Sequence, residues 1–299
     1  MLTYYIISFF LGENMIYLSD FWLPDQDIEW GYFANERRTC FTTYYPFCIF
    51  PKKELEHIEF DNITILYGGN GTGKTTLLNI IAETLKLKRV TDFNKSSFFN
   101  DYTTLCDYTV SKKIPKESRI ITSDDVFDYI LDKRSINSGI DNKREYLFDE
   151  YFDKRNSEFK FRTMEDYEEL KLVNAARSKS MSKYVKGELV DNQREYSNGE
   201  SAFIYFTDNI KENALYLLDE PENSLSPKKQ IELLHFLEDS ARFFGCQFII
   251  STHSPILLSM KNVLIYNLDE VPVTTSKWTE LENTRVYFDF FNEHRDEFE

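Results

Sequence analysis

Three consecutive stretches decide the fold: ITILY at residues 63–67, GGNGTGKT at 68–75 and TLLNIIAETLKL at 76–87. The first is apolar and β-branched, the composition of a buried strand. The second is glycine-rich. From Thr75 to Leu87 apolar residues recur at helical spacing, so the whole reads strand, loop, helix. The loop fits G-x-x-x-x-G-K-[ST], and the pattern has a mechanism. Glycines let backbone N–H groups turn inward around an anion, and the following helix presents its positive end to it. Lys74 reaches the β- and γ-phosphates of a nucleotide and the Thr75 hydroxyl ligates Mg²⁺. A glycine-rich turn alone would carry little weight; placed between an apolar strand and an amphipathic helix and ending in Lys74-Thr75, it points to a nucleoside triphosphate.

Working outward, LYLLDEP at 215–221 is an apolar strand ending in two adjacent acids. Open parallel sheets bind ligands at the carboxyl ends of their strands. Asp219 is therefore expected beside the phosphates as a Mg²⁺ ligand, direct or through water. Glu220, one residue on, is expected to act as general base on the attacking water. QFIIS at 247–251 reads as a second buried strand, and Pro227–Phe244 between the two as a helix. Continuous apolar strands alternating with helices imply a mainly parallel sheet covered on both faces. From Met15 to Tyr67, short aromatic and β-branched runs broken by Pro24, Pro46 and Pro51 suggest a small antiparallel sheet. The middle, 92–191, is polar and helix-prone. Asn262–Asn267 reads as a strand, Arg285–Phe290 as a strand or a helix. No repeat or Pro/Gly-rich linker divides the chain, so one α/β domain over 1–299 is expected: a β lobe and phosphate loop at 15–91, a helical region at 92–212, and a C-terminal lobe at 213–299.

Composition sets limits on function. The chain has 299 residues with 35 basic and 50 acidic side chains, a formal net charge of −15. Such a surface repels phosphate backbones, which argues against self-sufficient nucleic-acid binding. The most basic run, Lys171–Lys186 with Arg177, Lys179 and Lys183, reads as a solvated helix face. Cys40, Cys48, Cys106 and Cys246 are scattered, with no C-x-x-C pair and no histidine at metal-ligand spacing. Reduced thiols in a cytoplasm are expected rather than a disulfide framework or a zinc site. His57, His235 and His294 show no clustered acids at a recognisable metal-site spacing. Met1–Gly12 is apolar but shorter than a membrane span and lacks the basic start of a secretory signal. Met15 opens a second start, and Gly12-Glu13 can be encoded by a purine-rich, ribosome-binding-like stretch. Residues 1–14 are therefore expected to be a start-site over-extension or an appendage.

The class of phosphate-loop protein emerges from three further motifs. LLDEPENSLSP at 217–227 resembles the Walker B motif and D-loop of ATP-binding-cassette (ABC) proteins. STHSP at 251–255 resembles their switch-histidine strand end, placing His253. YSNGES at 196–201 resembles their signature motif, placing Ser197 and Gly199. Asp219 follows Ser197 by 22 positions and His253 follows Asp219 by 34, in the family's order. More narrowly, GGNGTGKTTLLNIIA, SNGESAF, YLLDEPENSLSPKKQ and QFIISTHSPILLS resemble the small stand-alone bacterial ATPases of the SMC/RecF-like branch. The resemblance covers most of 45–292, with 92–190 weakly matched.

That resemblance implies an ABC-type head with a mixed, mainly parallel core sheet, an N-terminal antiparallel β lobe and a helical middle subdomain. It implies MgATP held by Gly68, Gly69, Asn70, Gly71, Thr72, Gly73, Lys74, Thr75 and Thr76. Lys74, Glu220 and His253 would be catalytic, and Thr75 and Asp219 would hold Mg²⁺. Ser197 and Gly199 would come from a second copy, so that ATP is sandwiched in a homodimer that can build into a higher oligomer. Relatives in this branch serve DNA repair, chromosome handling and phage defence, usually through a separate effector protein, with nucleic acid engaged through the partner and no membrane insertion. Two departures stand out. Ser197 follows Lys74 by only 123 positions, too few for long SMC-type arms, and the Q-loop glutamine is missing, with Asn94, Asn100 or Asp101 as stand-ins. Tyr44, Tyr45, Phe47 and Phe50 are all available to stack on adenine. The alternative function is the nucleotide-binding subunit of a membrane transporter. A non-hydrolysing sensor would not need Glu220 and His253, and a phosphate-loop kinase would not need Ser197–Glu200.

Overall fold

The computed structural model describes residues 15–159, 166–187, 189, 192 and 197–298. Residues 1–14, with the start-site reading, and Tyr196 of the YSNGES stretch lie outside them. In chain order the elements are β1 (Leu18–Trp22), α1 (Gln26–Asn35), β2 (His57–Glu59), β3 (Ile63–Tyr67), α2 (Lys74–Thr84), α3 (Phe99–Leu105), β4 (Asp107–Val110) and β5 (Arg119–Thr122). There follow α4 (Ser123–Asn156), α5 (Tyr167–Ser178), α6 (Met181–Lys186), α7 (Asn198–Asn209), β6 (Leu215–Asp219), α8 (Pro227–Phe243), β7 (Gln247–Ser251), α9 (Pro255–Leu258), β8 (Leu264–Asn267), β9 (Thr274–Thr275) and α10 (Glu282–Glu293). Two compact units result, Met1–Phe127 with Asn198–Glu299, and Asp128–Ser197.

The first unit holds two sheets. The larger runs β5-β6-β7-β3-β8-β9, parallel throughout except for β9, which is antiparallel to β8. Every residue of β3, β6 and β7 is buried. This accounts for their unbroken apolar runs: a central strand covered on both faces has no side on which a polar residue meets water. The smaller sheet, β2-β1-β4, is antiparallel. The buried Gln247 side chain joins it to the larger one. Its Oε1 accepts from Tyr17 N (2.8 Å) and Leu18 N (2.9 Å), and its Nε2 donates to Leu18 O (2.7 Å). A polar residue at the head of an otherwise apolar strand thus satisfies backbone groups that burial would leave without water.

Several elements depart from the sequence reading. The antiparallel lobe takes its third strand from 107–110, inside the stretch read as helical, and α1 interrupts it, capped by Asp25, whose carboxylate accepts from Ile28 N at 2.7 Å. β5 also arises in that middle stretch, because Ile120 and Ile121 pair beside Leu217 and Leu218 and become buried. α2 stops at Thr84 rather than Leu87. Lys86 adopts φ 53° and Leu87 N returns to Ala82 O at 2.9 Å, a helix-ending turn. Arg285–Phe290 is helical, within α10.

In the second unit, most of α4 with α5 and α6 surrounds a small core of Leu147, Tyr151, Ala176, Tyr184 and Val185. Tyr184 OH donates to Glu150 Oε2 at 3.0 Å, and Lys154 pairs with Glu169. Arg177, Lys179 and Lys183 are exposed, but they fall on α5, on the break that follows it and on α6 rather than on one helix face. No helix among the described residues is long and apolar enough to cross a membrane.

Candidate functional site

Strand register assembles the site. Leu66 of β3 pairs with Ser251 of β7, and Ser251 pairs with Asp219 of β6. Three parallel strands therefore end in one row, and the segments leaving them (Gly68–Gly73, Thr252–Ser254 and Glu220–Ser226) emerge on the same edge of the sheet. Beyond β3 the chain turns through Gly71 at φ 80° and Gly73 at φ 98°, backbone conformations that only glycine adopts without strain. At Gly68 the chain packs so closely that a Cβ would lie 2.6 Å from Thr72 Oγ1. Leu77 N then bonds to Gly73 O at 2.8 Å and opens α2, whose Leu77, Leu78, Ile80 and Ile81 are fully buried and anchor the loop to the sheet.

Several of the candidate side chains meet here. Lys74, 5% exposed, donates from Nζ to Gly68 O (2.8 Å) and Gly69 O (3.0 Å). Thr75 Oγ1 donates to Asp219 Oδ1 at 3.1 Å, and Ser251 Oγ donates to the same oxygen. Burial pushes the Asp219 carboxyl above its ordinary range, with the Ser251 and Thr75 hydrogen bonds opposing. Glu220 stands at the turn in a left-handed conformation, φ 47°, its N–H held by Ser251 O at 3.0 Å. Its Oε1 lies 3.9 Å from both Lys74 Nζ and His253 Nδ1, and its Oε2 accepts from Asn223 Nδ2 at 3.1 Å. A non-glycine residue held at positive φ beside a buried lysine is strain of the kind that concentrates at functional sites.

Four residues that sequence reasoning did not single out complete the surroundings. Ser251 bridges β6 and the Glu220 turn. Glu222 is buried; its Oε1 accepts from Thr252 Oγ1 (2.6 Å) and His253 N (3.0 Å). Desolvation pushes its carboxyl up, against those hydrogen bonds. Asn283, in the first turn of α10, donates from Nδ2 to His253 O at 2.5 Å, and its N–H donates to Tyr67 OH at 3.1 Å. Both amide ends of His253 are thereby held. Asp269 accepts from Gly69 N with both carboxylate oxygens, at 2.9 and 3.1 Å. It lines a cleft of about 360 Å³ with Gly68, Asn70 and His253. Only the motif letters around Ser251 and Glu222 offered a signal; Asp269 and Asn283 carried none.

Among the adenine candidates, Phe50 and Phe47 are buried in the core, while Tyr45 OH donates to Thr76 Oγ1 at 3.0 Å. Asp101, one of the possible Q-loop stand-ins, is engaged by Tyr32 OH and Arg38. Gly199 does not join the Lys74 cluster. A Cβ there would meet Ser224 O at 3.3 Å and Ser226 N at 3.8 Å. Ser197, the last residue of the second unit, is exposed. One reading is corrected: His57 does have acids beside it. Asp20 and Glu59 gather with it, His57 Nε2 lying 3.0 Å from Asp20 Oδ1: Glu59 is two positions on along β2, and the pairing of β1 with β2 adds Asp20, which sequence spacing could not show.

With this geometry in view, comparison with known proteins is specific. The family described as "ABC transporter" matches residues 56–223, more than half of the chain. The chain belongs to this family and is an ABC-type ATPase of the phosphate-loop class. A second family, "AAA domain, putative AbiEii toxin, Type IV TA system", matches residues 191–259. Similar solved structures include the Smc head domain of Pyrococcus furiosus bound to the C-terminal domain of ScpA, 11% identical with TM-score 0.40, over 80% of this chain and 95% of that one. The SMC head domain of Thermotoga maritima is 12% identical with TM-score 0.37, over 88% and 99%. The ATP-binding cassette MJ0796, a dimer in a post-hydrolysis state with ADP and Pi, is 14% identical with TM-score 0.35, over 75% and 90%. No curated protein matches the chain.

Proposed function

We propose that the protein binds MgATP at Gly68–Thr76 and hydrolyses it only when two copies sandwich the nucleotide, so that ATP joins the subunits, hydrolysis releases them, and the switch controls a separate effector protein in the cytoplasm. The observation that carries this reading is the meeting of Lys74, Glu220 and His253, with Glu220 Oε1 3.9 Å from a nitrogen of each. Lys74 now spends its hydrogen bonds on Gly68 O and Gly69 O, and a triphosphate would take them over. Thr75 and Asp219 offer two hard oxygen donors 3.1 Å apart, a donor set that suits Mg²⁺, and a cation there would offset the burial of the Asp219 charge. When bound, the ion would neutralise charge on the β- and γ-phosphate oxygens.

In this mechanism Glu220 accepts a proton from the attacking water, while Lys74 and His253 donate toward the charge that develops on the transferred phosphoryl group. Ser197 and Gly199 of the second copy would complete the set. The exposure of Ser197 and the packing of Gly199 against Ser224 and Ser226 of the D-loop support this. The whole chain, 1–299, would act as one ATPase domain. DNA maintenance and phage defence are the settings that the SMC/RecF-like motifs suggest.

Complementation between two inactive variants tests the sandwich. Lys74→Ala and Ser197→Arg are each expected to abolish hydrolysis. Mixed, they leave each heterodimer one intact composite site, Lys74 from one copy and Ser197 from the other, and about a quarter of wild-type activity returns. No recovery on mixing would defeat the proposal. The transporter reading has one specific support, the family description itself; co-purification with a multi-spanning membrane protein would favour it.

A further inference from the structure

α10 is bare beyond its first turn. From Arg285 to Glu293 every residue is exposed, and Tyr287, Phe288, Phe290, Phe291 and Phe298 are each between 49 and 74% exposed. These rings form a patch rather than isolated residues: Phe290 lies 5.5 Å from Phe291 and 4.8 Å from His294, and Phe291 lies 6.2 Å from Phe298. Contiguous exposed apolar surface of this kind marks an interaction site. Half of the roughly 200 Å² that an aromatic side chain can bury, taken over five rings, is on the order of 500 Å². That is a large part of the roughly 800 Å² each partner contributes to a standard interface.

The rim of the patch states what fits it. Glu282, Asp289, Glu293, Asp296 and Glu297 border the rings, against Arg285 and Arg295 alone. A second copy would bring the same acidic excess, and a whole-chain charge of −15, against itself. A basic-rimmed apolar groove is complementary, and a helix presenting aromatic anchors to a groove is a recurring mode of protein recognition. The other end of the helix is wired to the nucleotide site: Asn283 donates to His253 O and receives Tyr67 OH as the acceptor of its N–H, and Tyr67 is the residue from which the phosphate loop departs.

We propose that α10 docks a partner protein through an apolar groove with a basic rim, and that its first turn carries the effect of docking to His253. The second part rests on the reading of His253 as an ATPase residue; the first does not. The probe is a pair of synthetic helical peptides with the same leucine stripe, one flanked by lysines and one by glutamates, followed by fluorescence anisotropy at physiological salt. The lysine-flanked peptide is expected to bind the wild type at least tenfold more tightly than it binds Phe290→Ser/Phe291→Ser, and at least tenfold more tightly than the glutamate-flanked peptide binds the wild type. It is also expected to change the ATPase rate of the wild type, but not of Asn283→Ala, which still binds it. Equal binding to the double variant, or no preference for lysine over glutamate, overturns the docking site. Two further results would also overturn it by naming another occupant. One is nucleotide-independent dimers abolished by the double variant; the other is Phe290-dependent pelleting with phosphatidylcholine vesicles. Peptide binding that alters Asn283→Ala and wild type alike overturns only the link to His253.

Discussion

Glu220→Gln separates two effects that a carboxylate at this position combines. The substitution keeps the shape of the side chain and its contact with Asn223 while removing one negative charge. That charge sits 3.9 Å from Lys74 Nζ, and so beside the place where a γ-phosphate would approach Lys74. At such a distance two unit charges interact by about 1 kcal/mol in a water-like dielectric and about 4 kcal/mol at an effective dielectric near 20. Glu220 is 25% exposed, so water screens it and the lower figure governs. Removing the repulsion is therefore expected to tighten ATP binding by about fivefold. Hydrolysis moves the other way: loss of a general base lowers the rate by roughly a hundred- to ten-thousandfold. Isothermal titration with ATP and Mg²⁺ gives the first quantity, and phosphate release at saturating ATP the second. Light scattering with ATP is expected to find a larger share of dimers for the variant than for the wild type. A turnover rate within about threefold of wild type would remove Glu220 from the role of base. Weaker ATP binding would show that the carboxylate supports the nucleotide rather than repelling it.

Lys74→Ala is expected to weaken binding of a fluorescent ATP analogue at least about tenfold, the loss of one charge-assisted contact; unchanged affinity would mean that the Gly68–Thr75 loop is not the phosphate site. Asp269→Asn keeps an acceptor for the Gly69 N–H and removes a charge from the mouth of the loop, so nucleotide association should quicken several-fold at low salt and the gain should shrink as salt is added; stopped-flow mixing with the same analogue measures this. Glu222 offers a test by pH. Burial raises its folded-state pKa above the unfolded value of 4.5, so the folded protein binds the proton more tightly and stability falls as pH rises from about 4.5 through the raised value. Glu222→Gln retains an acceptor for Thr252 Oγ1 and His253 N without a charge, and its melting temperature is expected to gain on that of the wild type across this window. Each pH unit by which burial raises the Glu222 pKa corresponds to about 1.4 kcal/mol of stability. Parallel melting curves across the pH range would refute the assignment.

Resemblance to the ABC family supplied the expected role of the histidine after β7 and the order of the motifs; the sequence by itself determined the strand-loop-helix at 63–84 and the carboxylates after β6, because these depend on local composition and on periodicities that any window of a dozen residues displays. Even there the end of α2 was misread, since the left-handed turn at Lys86 is not written in the apolar pattern. The polar middle concealed β4 and β5, four-residue strands whose pairing with β1 and β6 comes from elements distant in the chain. Tertiary structure alone decided which side chains share a site. Asp269 meets Gly69 across 200 positions, and Asn283 meets His253 because α10 begins where β3 and β7 end. Asp20 reaches His57 through the antiparallel pairing of β1 with β2, and Glu59 stands two positions along the same strand as His57. Sheet order and register fix such neighbours, and both are set by the burial of the entire core rather than by any segment's own propensity.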